Sequence, residues 1–473
     1  MKNAPSIHFI GLCGAGMSAC ARLYQQAGWQ VTGSDQGMYD PIKDYLERLG
    51  LTCHTPHDPA HLPKDPQVIV IGRHAKLTKE TCPEVAVAFE KFPERITSLP
   101  EALQNIAGQA KQLLVCGSYG KSTTATLVTA ILQAANLHPG YFIGALPIDF
   151  DYTSDLGTGQ VMVIEGDEYP SSNTDDRSKF LHLNPEAVLI TALEHDHINV
   201  FPTQQSYLDP YRRLLQNLPK GATVIGCIDN PFVKEVLDSQ TQLQPIYYSL
   251  VDQTAWHPRA IVRGEETSFD LYHGSEKICT LKTEMIGDHN IQNIVGAAAY
   301  VHTLGLADTA AIAAGVAACK GVTRRLDKKT KNSKLPVYEG FGSSYTKAKT
   351  AIDGLLQYFP DKNLTVVFEP HTFSWRNRAS LQWYETVFEG VGQVLLYKPP
   401  THGKAQHDQL SHDEIIAQAG RFHNQIHKVH SILEINQRLG KLDPEKDLVL
   451  LLSSGSFDGG LTAMVNFVEE KFS

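Results

Sequence analysis

No segment of this sequence approaches the roughly 20 consecutive apolar residues needed to span a bilayer, so a transmembrane helix is not expected. No low-complexity tract and no repeat period of the solenoid kind is present. The eight cysteines (Cys13, Cys20, Cys53, Cys82, Cys116, Cys227, Cys279 and Cys319) form no C-x-x-C pair. That scatter speaks against a disulfide frame or a zinc finger and fits thiols in a reducing compartment. Excess positive charge is also lacking: 42 basic against 51 acidic side chains leave a net charge of −9, which argues against a broad nucleic-acid-binding face. Anionic small molecules remain compatible, because local loops rather than net charge bind phosphates. The stretch Met1–Ser6 has no basic region followed by an apolar one, so a secretion signal is not expected and the chain is expected to be cytoplasmic.

What is present is an ordinary globular mixture, 42% hydrophobic and 20% charged, over 473 residues. One core does not usually serve so long a chain, so several domains are expected. Apolar runs alternate with helical patterns, the mark of α/β architecture with parallel sheets. The runs Ile7–Ile10, Val68–Ile71, Leu113–Cys116, Val161–Ile164, Ala187–Ile190, Val224–Gly226, Thr365–Phe368, Val394–Leu396 and Leu448–Leu452 read as buried strands. Gly-rich turns at Gly11 and Gly117 each open an α/β unit. A polar, basic stretch, Arg324–Lys334, follows the helical run Ile291–Cys319 and reads as a linker. We therefore expect three domains, 1–110, 111–322 and 323–473.

The strongest local signal is Gly117-Ser118-Tyr119-Gly120-Lys121-Ser122-Thr123-Thr124, between the strand Leu113–Cys116 and the helix Ala125–Ala135. Backbone N–H groups of such a turn and the helix N-terminus make a nest for a triphosphate. Lys121 can neutralise the outer phosphates and the Ser122 hydroxyl can hold Mg²⁺. The spacing is G-x-x-G-K-S, shorter than the usual phosphate-loop pattern. Earlier in the chain, Gly11, Gly14 and Gly16 follow the first strand, and Ser34-Asp35 closes the next one, where an acid often meets a ribose. NAD and another pyrophosphate-bearing ligand are both readings of that turn; beside an ATP loop, the second is preferred.

Glu165-Gly166-Asp167-Glu168-Tyr169 lies at the C-terminal end of a strand, where ligands gather in open α/β sheets, and a carboxylate there can complete a Mg²⁺ shell. His195-Asp196-His197 ends another strand. Without a cysteine or third histidine at metal-site spacing it reads as a second-metal or phosphate contact rather than zinc. Gly287-Asp288-His289-Asn290-Ile291-Gln292-Asn293 starts a helix whose His and Asn can hydrogen-bond an adenine edge. Arg324-Arg325 could reach a phosphoryl group.

In this order the segments GLCGAGMS, GSYGKSTT, EGDEY, EHDH, GDHNIQN and RRLD resemble the Mur ligase family over essentially the whole chain. Folate-type ligases share the ATP motifs but lack the first domain. The resemblance implies an N-terminal Rossmann-like UDP-binding domain, a central P-loop ATPase-like domain and a C-terminal Rossmann-like domain. It also implies ATP and Mg²⁺, and UDP-N-acetylmuramate as the acid to which an amine, a single amino acid or short peptide, is joined through an acyl phosphate. On it, Lys121 meets the γ-phosphate, with Gly117, Gly120 and Thr123 completing the cradle. Ser122 and Glu165 hold one Mg²⁺ and His197 a second metal. His289, Asn290 and Asn293 take the adenine side, Arg325 the transferred phosphoryl group, and Gly11, Gly14, Gly16, Ser34 and Asp35 the UDP.

Arg177-Ser178-Lys179-Phe180 and the segment LSSGSFDGG resemble the branch that attaches an intact tripeptide rather than L-alanine, which puts Arg177, Lys179 and Ser454 on the amine side; Phe368-Glu369-Pro370-His371-Thr372 fits either branch and adds His371 there. Several positions depart from the family. The third domain usually opens with Asp-Asp-(Phe/Tyr)-Ala-His-x-Pro, where this chain has Glu339-Gly340-Phe341-Gly342-Ser343-Ser344-Tyr345. Tyr119 replaces a frequent histidine and Ala192 a common asparagine, and no lysine stands at the carbamylated position of some relatives. A nucleotide-binding paralogue without catalysis is the competing reading; the complete set of Lys121, Ser122 and Glu165 favours an enzyme.

Overall fold

A computed structural model describes residues 4–38, 42–197, 200–400 and 409–473. Three sheets organise the chain as mixed α/β, with parallel pairing at the centre of each. Their central runs, such as Val68–Ile71, Lys111–Cys116, Ala187–Ile190 and Asp447–Ser453, are rich in Val, Ile and Leu and are buried on both faces, as strands covered by helices on either side must be.

The first sheet has five strands in the order Cys53–His54, Gln30–Ser34, Ser6–Ile10, Val68–Ile71, Ile96–Thr97, all parallel. The chain order reverses on the two sides of Ser6–Ile10, so a crevice is expected at the C-terminal end of that strand, where Gly11 begins its turn. The second sheet has ten strands. Its parallel centre runs Ile246–Tyr248, Thr223–Cys227, Ala187–Ile190, Lys111–Cys116, Val161–Glu165, Gly140–Phe142, placing three candidate segments at neighbouring strand ends. The third has six strands, ordered Arg325–Lys328, Val337–Phe341, Asp447–Ser453, Asn363–Phe368, Gln393–Tyr397, Ile426–Val429, of which only the first pair is antiparallel.

Each strand expected from the apolar runs is present. The helical run Ile291–Cys319 is two helices, Asp288–Thr303 and Thr309–Ala318, broken where Gly305 takes a positive φ of 65°. The basic stretch taken as a linker is partly structured: Arg325–Lys328 forms the edge strand of the third sheet. Only Leu326 and Asp327 of that strand are buried, so it lacks the apolar run that betrays a central strand.

The chain divides into two compact units. The first comprises Met1–Ile261, Ser268–Thr283 and His289–Cys319; the second comprises Val262–Thr267, Glu284–Asp288 and Lys320–Ser473. The first sheet and, apart from Val262 and Thr267, the second share one unit, and the third belongs to the other. Among the described residues no helix is long and apolar enough to cross a membrane.

Candidate functional site

The strand Lys111–Cys116 leads through the turn 117–120 into the helix Lys121–Ala134. Gly117 and Gly120 have φ of 138° and 81°, and both are enclosed: a Cβ on Gly117 would lie 2.4 Å from Thr191 Oγ1, and one on Gly120 2.6 Å from Asn293 Oδ1. Only glycine meets both conditions. The turn is also tied to the neighbouring strand end. Ser118 N–H donates to Ala192 O at 2.8 Å, Thr191 Oγ1 donates to Tyr119 O at 2.5 Å, and Glu194 N–H donates to Ser118 Oγ at 3.0 Å. Gly120 caps the helix without a side-chain hydrogen bond, so the helix N-terminus faces the turn with its N–H groups open to an anion.

Lys121 projects from the first helical position into a set of acids. Its Nζ lies 3.0 Å from Glu168 Oε2 and 3.4 Å from Oε1. Burial works to lower the Lys121 pKa, but Glu168 and Glu165 outweigh it, and the amine is held above its ordinary range. Ser122 Oγ donates to Glu165 Oε1 at 2.9 Å, and Gly144 N–H donates to Oε2 at 2.7 Å. Burial raises the Glu165 carboxyl in spite of Lys121 and these donors, so a further cation beside it would be welcome. A hydroxyl beside a desolvated carboxylate is a hard-oxygen donor set that suits Mg²⁺. Among the described residues no group of three or more His, Cys, Asp or Glu clusters as a metal site built from protein alone.

Glu168 received no role from the sequence, yet it is the centre of the site. It is fully buried and accepts Tyr207 OH at 3.1 Å besides pairing with Lys121, and His197 Nε2 stands 3.5 Å from Oε1. Burial alone would raise its carboxyl; His197 and Lys121 bring it below the usual range, and Glu168 in return raises His197. Three acids occur within EGDEY, and strand alternation stops at Glu165, so nothing in the sequence marks which of the next two turns inward. Asp167 pairs with Lys179 instead.

The other candidates fall into separate groups. Asn290 and Asn293 are buried at the start of the helix Asp288–Thr303, with Asn293 against Gly120, while His289 is exposed on the same turn. Thr123 is buried at the base of the phosphate turn. Arg177 is 57% exposed and pairs with Asp175 two residues earlier, at 2.7 Å. Arg325 is exposed on an edge strand of the second unit, whereas its neighbour Arg324 is spent on Glu339 at 3.1 Å and on Gly455 O at 2.7 Å. Glu339 also pairs with Lys329 at 2.8 Å, so the residue standing where the family has an aspartate is occupied structurally. In that unit, His371 and Ser454 meet (Nδ1 to Oγ, 3.5 Å) at the C-terminal ends of adjacent parallel strands, beside the buried Glu369.

In the first sheet, Gly11 and Leu12 N–H groups donate to Ser34 O at 2.8 and 3.0 Å, and Cys13 N–H donates to Asp35 Oδ2 at 2.9 Å. Gly14 caps the next helix, which carries Gly16 in its first turn, with no side-chain hydrogen bond. The Ser34 side chain points inward: its hydroxyl donates to Glu84 Oε2 at 2.7 Å and lies 2.9 Å from His57 Nδ1. Glu84 also meets His8 Nε2 at 2.9 Å. Ser34 and Asp35 therefore shape the glycine turn from behind, and the turn itself is what faces outward.

A phosphate turn, a partly buried lysine and a hydroxyl–carboxylate pair, set in parallel α/β sheets, define an enzyme that works on nucleotide phosphates. Residues 6–111 match the Mur ligase family, catalytic domain, and residues 115–301 the Mur ligase middle domain. The chain belongs to the Mur ligase family, whose members are ATP-dependent ligases. It is 28% identical over 336 residues to the UDP-N-acetylmuramate–L-alanyl-γ-D-glutamyl-meso-2,6-diaminoheptandioate ligase of Haemophilus influenzae, covering 71% of this chain and 72% of that one. It is 26% identical over 467 residues to the UDP-N-acetylmuramate–L-alanine ligase of Salinibacter ruber, covering 98% and 95%. The fold superposes on the UDP-N-acetylmuramate–alanine ligase of Thermotoga maritima with a TM-score of 0.76 at 18% identity, covering 98% of each chain.

Proposed function

We propose that this ligase joins the tripeptide L-alanyl-γ-D-glutamyl-meso-diaminopimelate to the carboxylate of UDP-N-acetylmuramate at the expense of ATP, in the cytoplasm, as a step of peptidoglycan recycling or synthesis. The observation that carries the reading is the phosphate turn with Lys121, Ser122, Glu165 and Glu168 gathered around it, in a chain similar to a ligase of that tripeptide. The division of labour follows the three sheets, with residues 1–110 for the sugar nucleotide, 111–322 for ATP and 323–473 for the amine.

The chain's own residues supply positioning and charge, which dominate phosphoryl transfer. Gly117 and Gly120 let the backbone N–H groups close on the outer phosphates. Lys121, kept charged by Glu168, neutralises negative charge at the γ-phosphate. Ser122 and Glu165 hold one Mg²⁺ and His197, oriented by Glu168, a second; bound metal supplies charge neutralisation at phosphate oxygens. Asn290 and Asn293 hold the nucleotide from the adenine side with His289, and Arg325 serves the transferred phosphoryl group. Arg177, Lys179, His371 and Ser454 serve the carboxylates and amine of the peptide, and Gly11, Gly14 and Gly16 the diphosphate, with Asp35 bracing their turn.

One observation favours a second reading. The sequence relatives matching nearly the whole chain include L-alanine ligases, whereas the tripeptide ligases of Haemophilus influenzae and Escherichia coli match 71% of it in sequence. Phosphate release from ATP, measured with UDP-N-acetylmuramate and L-alanine, the dipeptide or the tripeptide, decides between them. Turnover with tripeptide is expected; turnover confined to L-alanine moves the assignment to the alanine ligases, and no release with any amine refutes both.

A further inference from the structure

Between the glycine turn of the first sheet and the phosphate turn of the second lies an arginine to which no role has been given. The strands Ser6–Ile10 and Val68–Ile71 are in register, Ile10 beside Ile71, and Gly72 N–H donates to Ile10 O at 2.9 Å. The chain therefore leaves the sheet at Gly72 alongside Gly11, and the next residue is Arg73. Its guanidinium carbon stands 4.7 Å from the centroid of the Tyr169 ring. That ring in turn meets the His197 ring edge-on, at 5.0 Å between centroids and 78° between planes. The loop carrying Tyr169 is fixed to the loop carrying Arg73: Asn173 Nδ2 donates to His74 O at 2.8 Å and to Leu77 O at 2.9 Å.

Arg73 is exposed, and among the described residues no carboxylate pairs with it. An arginine decorating a surface keeps its rotamer freedom; this one is laid on an aromatic face, which restrains the guanidinium while leaving the N–H groups at its edge free to donate. A planar fork of donors, pre-set and uncompensated, matches a carboxylate or a phosphate. It stands at the start of the loop that leaves the strand Val68–Ile71 beside the glycine turn and is tied through Asn173 to the segment that follows EGDEY.

We infer that Arg73 binds an oxyanion of the sugar-nucleotide acid, either the diphosphate or the carboxylate that is to be activated, with Tyr169 as its platform. This rests on the proposed assignment of UDP-N-acetylmuramate as the acid substrate. The full-length chain and its Arg73→Gln and Arg73→Lys variants are titrated calorimetrically with UDP-N-acetylmuramate, with UDP-N-acetylglucosamine, which carries the diphosphate but no carboxylate, and with ADP. Arg73→Gln is expected to weaken UDP-N-acetylmuramate roughly tenfold or more, the loss of a hydrogen bond to a charged group, with partial recovery in Arg73→Lys and no change for ADP. Equal weakening of both sugar nucleotides assigns Arg73 to the diphosphate; weakening of the muramate alone assigns it to the carboxylate. Undiminished binding of both in Arg73→Gln, or weakening of ADP to the same degree, overturns the inference. A parent chain that binds ADP but no UDP-N-acetylmuramate overturns the substrate assignment beneath it.

Discussion

Removing either partner of the pair formed by Lys121 and Glu168 should damage the ligand-free protein as well as turnover. The two charges are 3.0 Å apart, and the Glu168 side chain is wholly buried while that of Lys121 is 16% exposed. At an effective dielectric of about 20, their attraction is on the order of 5 kcal/mol before the cost of taking both out of water. Breaking such a pair from one side leaves a buried charge alone, which costs about 3–5 kcal/mol, whereas removing both partners costs much less. Glu165 and Asp167 near Lys121, and His197 near Glu168, cushion each loss, so about 2–3 kcal/mol is expected for Lys121→Met and for Glu168→Gln. The double variant should be less destabilised than the sum by about 1.5 kcal/mol or more. Urea unfolding of the four proteins without nucleotide measures the cycle. Additivity to within about 0.5 kcal/mol would refute the coupling, and with it the claim that Glu168 keeps Lys121 in place. In turnover assays, Lys121→Met should lower kcat by roughly a hundredfold or more, the usual loss of a donor aimed at developing charge.

Three further outcomes follow from single contacts. Gly120→Ala places a methyl group 2.6 Å from Asn293 Oδ1 at a φ of 81°, and should cost about 1–3 kcal/mol in thermal unfolding while raising the KM for ATP. Glu84 is held at a pKa of about 2 against an ordinary 4.5, because His57, His8 and Ser34 together outweigh the effect of its burial. Its contribution, about 3 kcal/mol, is present above pH 4.5 and lost as the pH falls toward 2; a Glu84→Gln protein should be less stable at neutral pH and lose less on acidification, and parallel pH profiles would contradict this. Arg177→Ala should raise the KM for tripeptide only a few-fold and leave that for ATP unchanged, since the side chain is 57% exposed and shared with Asp175; a large effect on ATP would move Arg177 to the nucleotide.

The sequence exposed most of the fold because strands such as Ala187–Ile190 and Leu448–Leu452 are unbroken apolar runs, and burial on both faces demands that. Strands on sheet margins were less legible. Thr267–His273 alternates buried and partly buried residues, and Arg325–Lys328 carries charges outward. The phosphate turn could be read because its chemistry is local: glycine, lysine and serine are adjacent in the chain. Glu168 and Arg73 could not, since each acquires its meaning from partners far along the sequence, Lys121 and Tyr207 in one case and Tyr169 in the other. Ser34 shows the converse. Its place at the end of the second strand suggested a ligand contact, but inward rotation toward Glu84 was decided by a helix fifty residues on.

The stitching of the phosphate turn to the strand end at Thr191 and Ala192 has a thermodynamic consequence. A free glycine-rich loop would have to surrender its backbone freedom when nucleotide arrives, at about 1–2 kcal/mol for each residue fixed. Here Ser118, Tyr119 and Glu194 are already committed to hydrogen bonds across the two strand ends. The cradle therefore moves with the sheet as a rigid rim, and most of the free energy of gripping a triphosphate remains available as affinity.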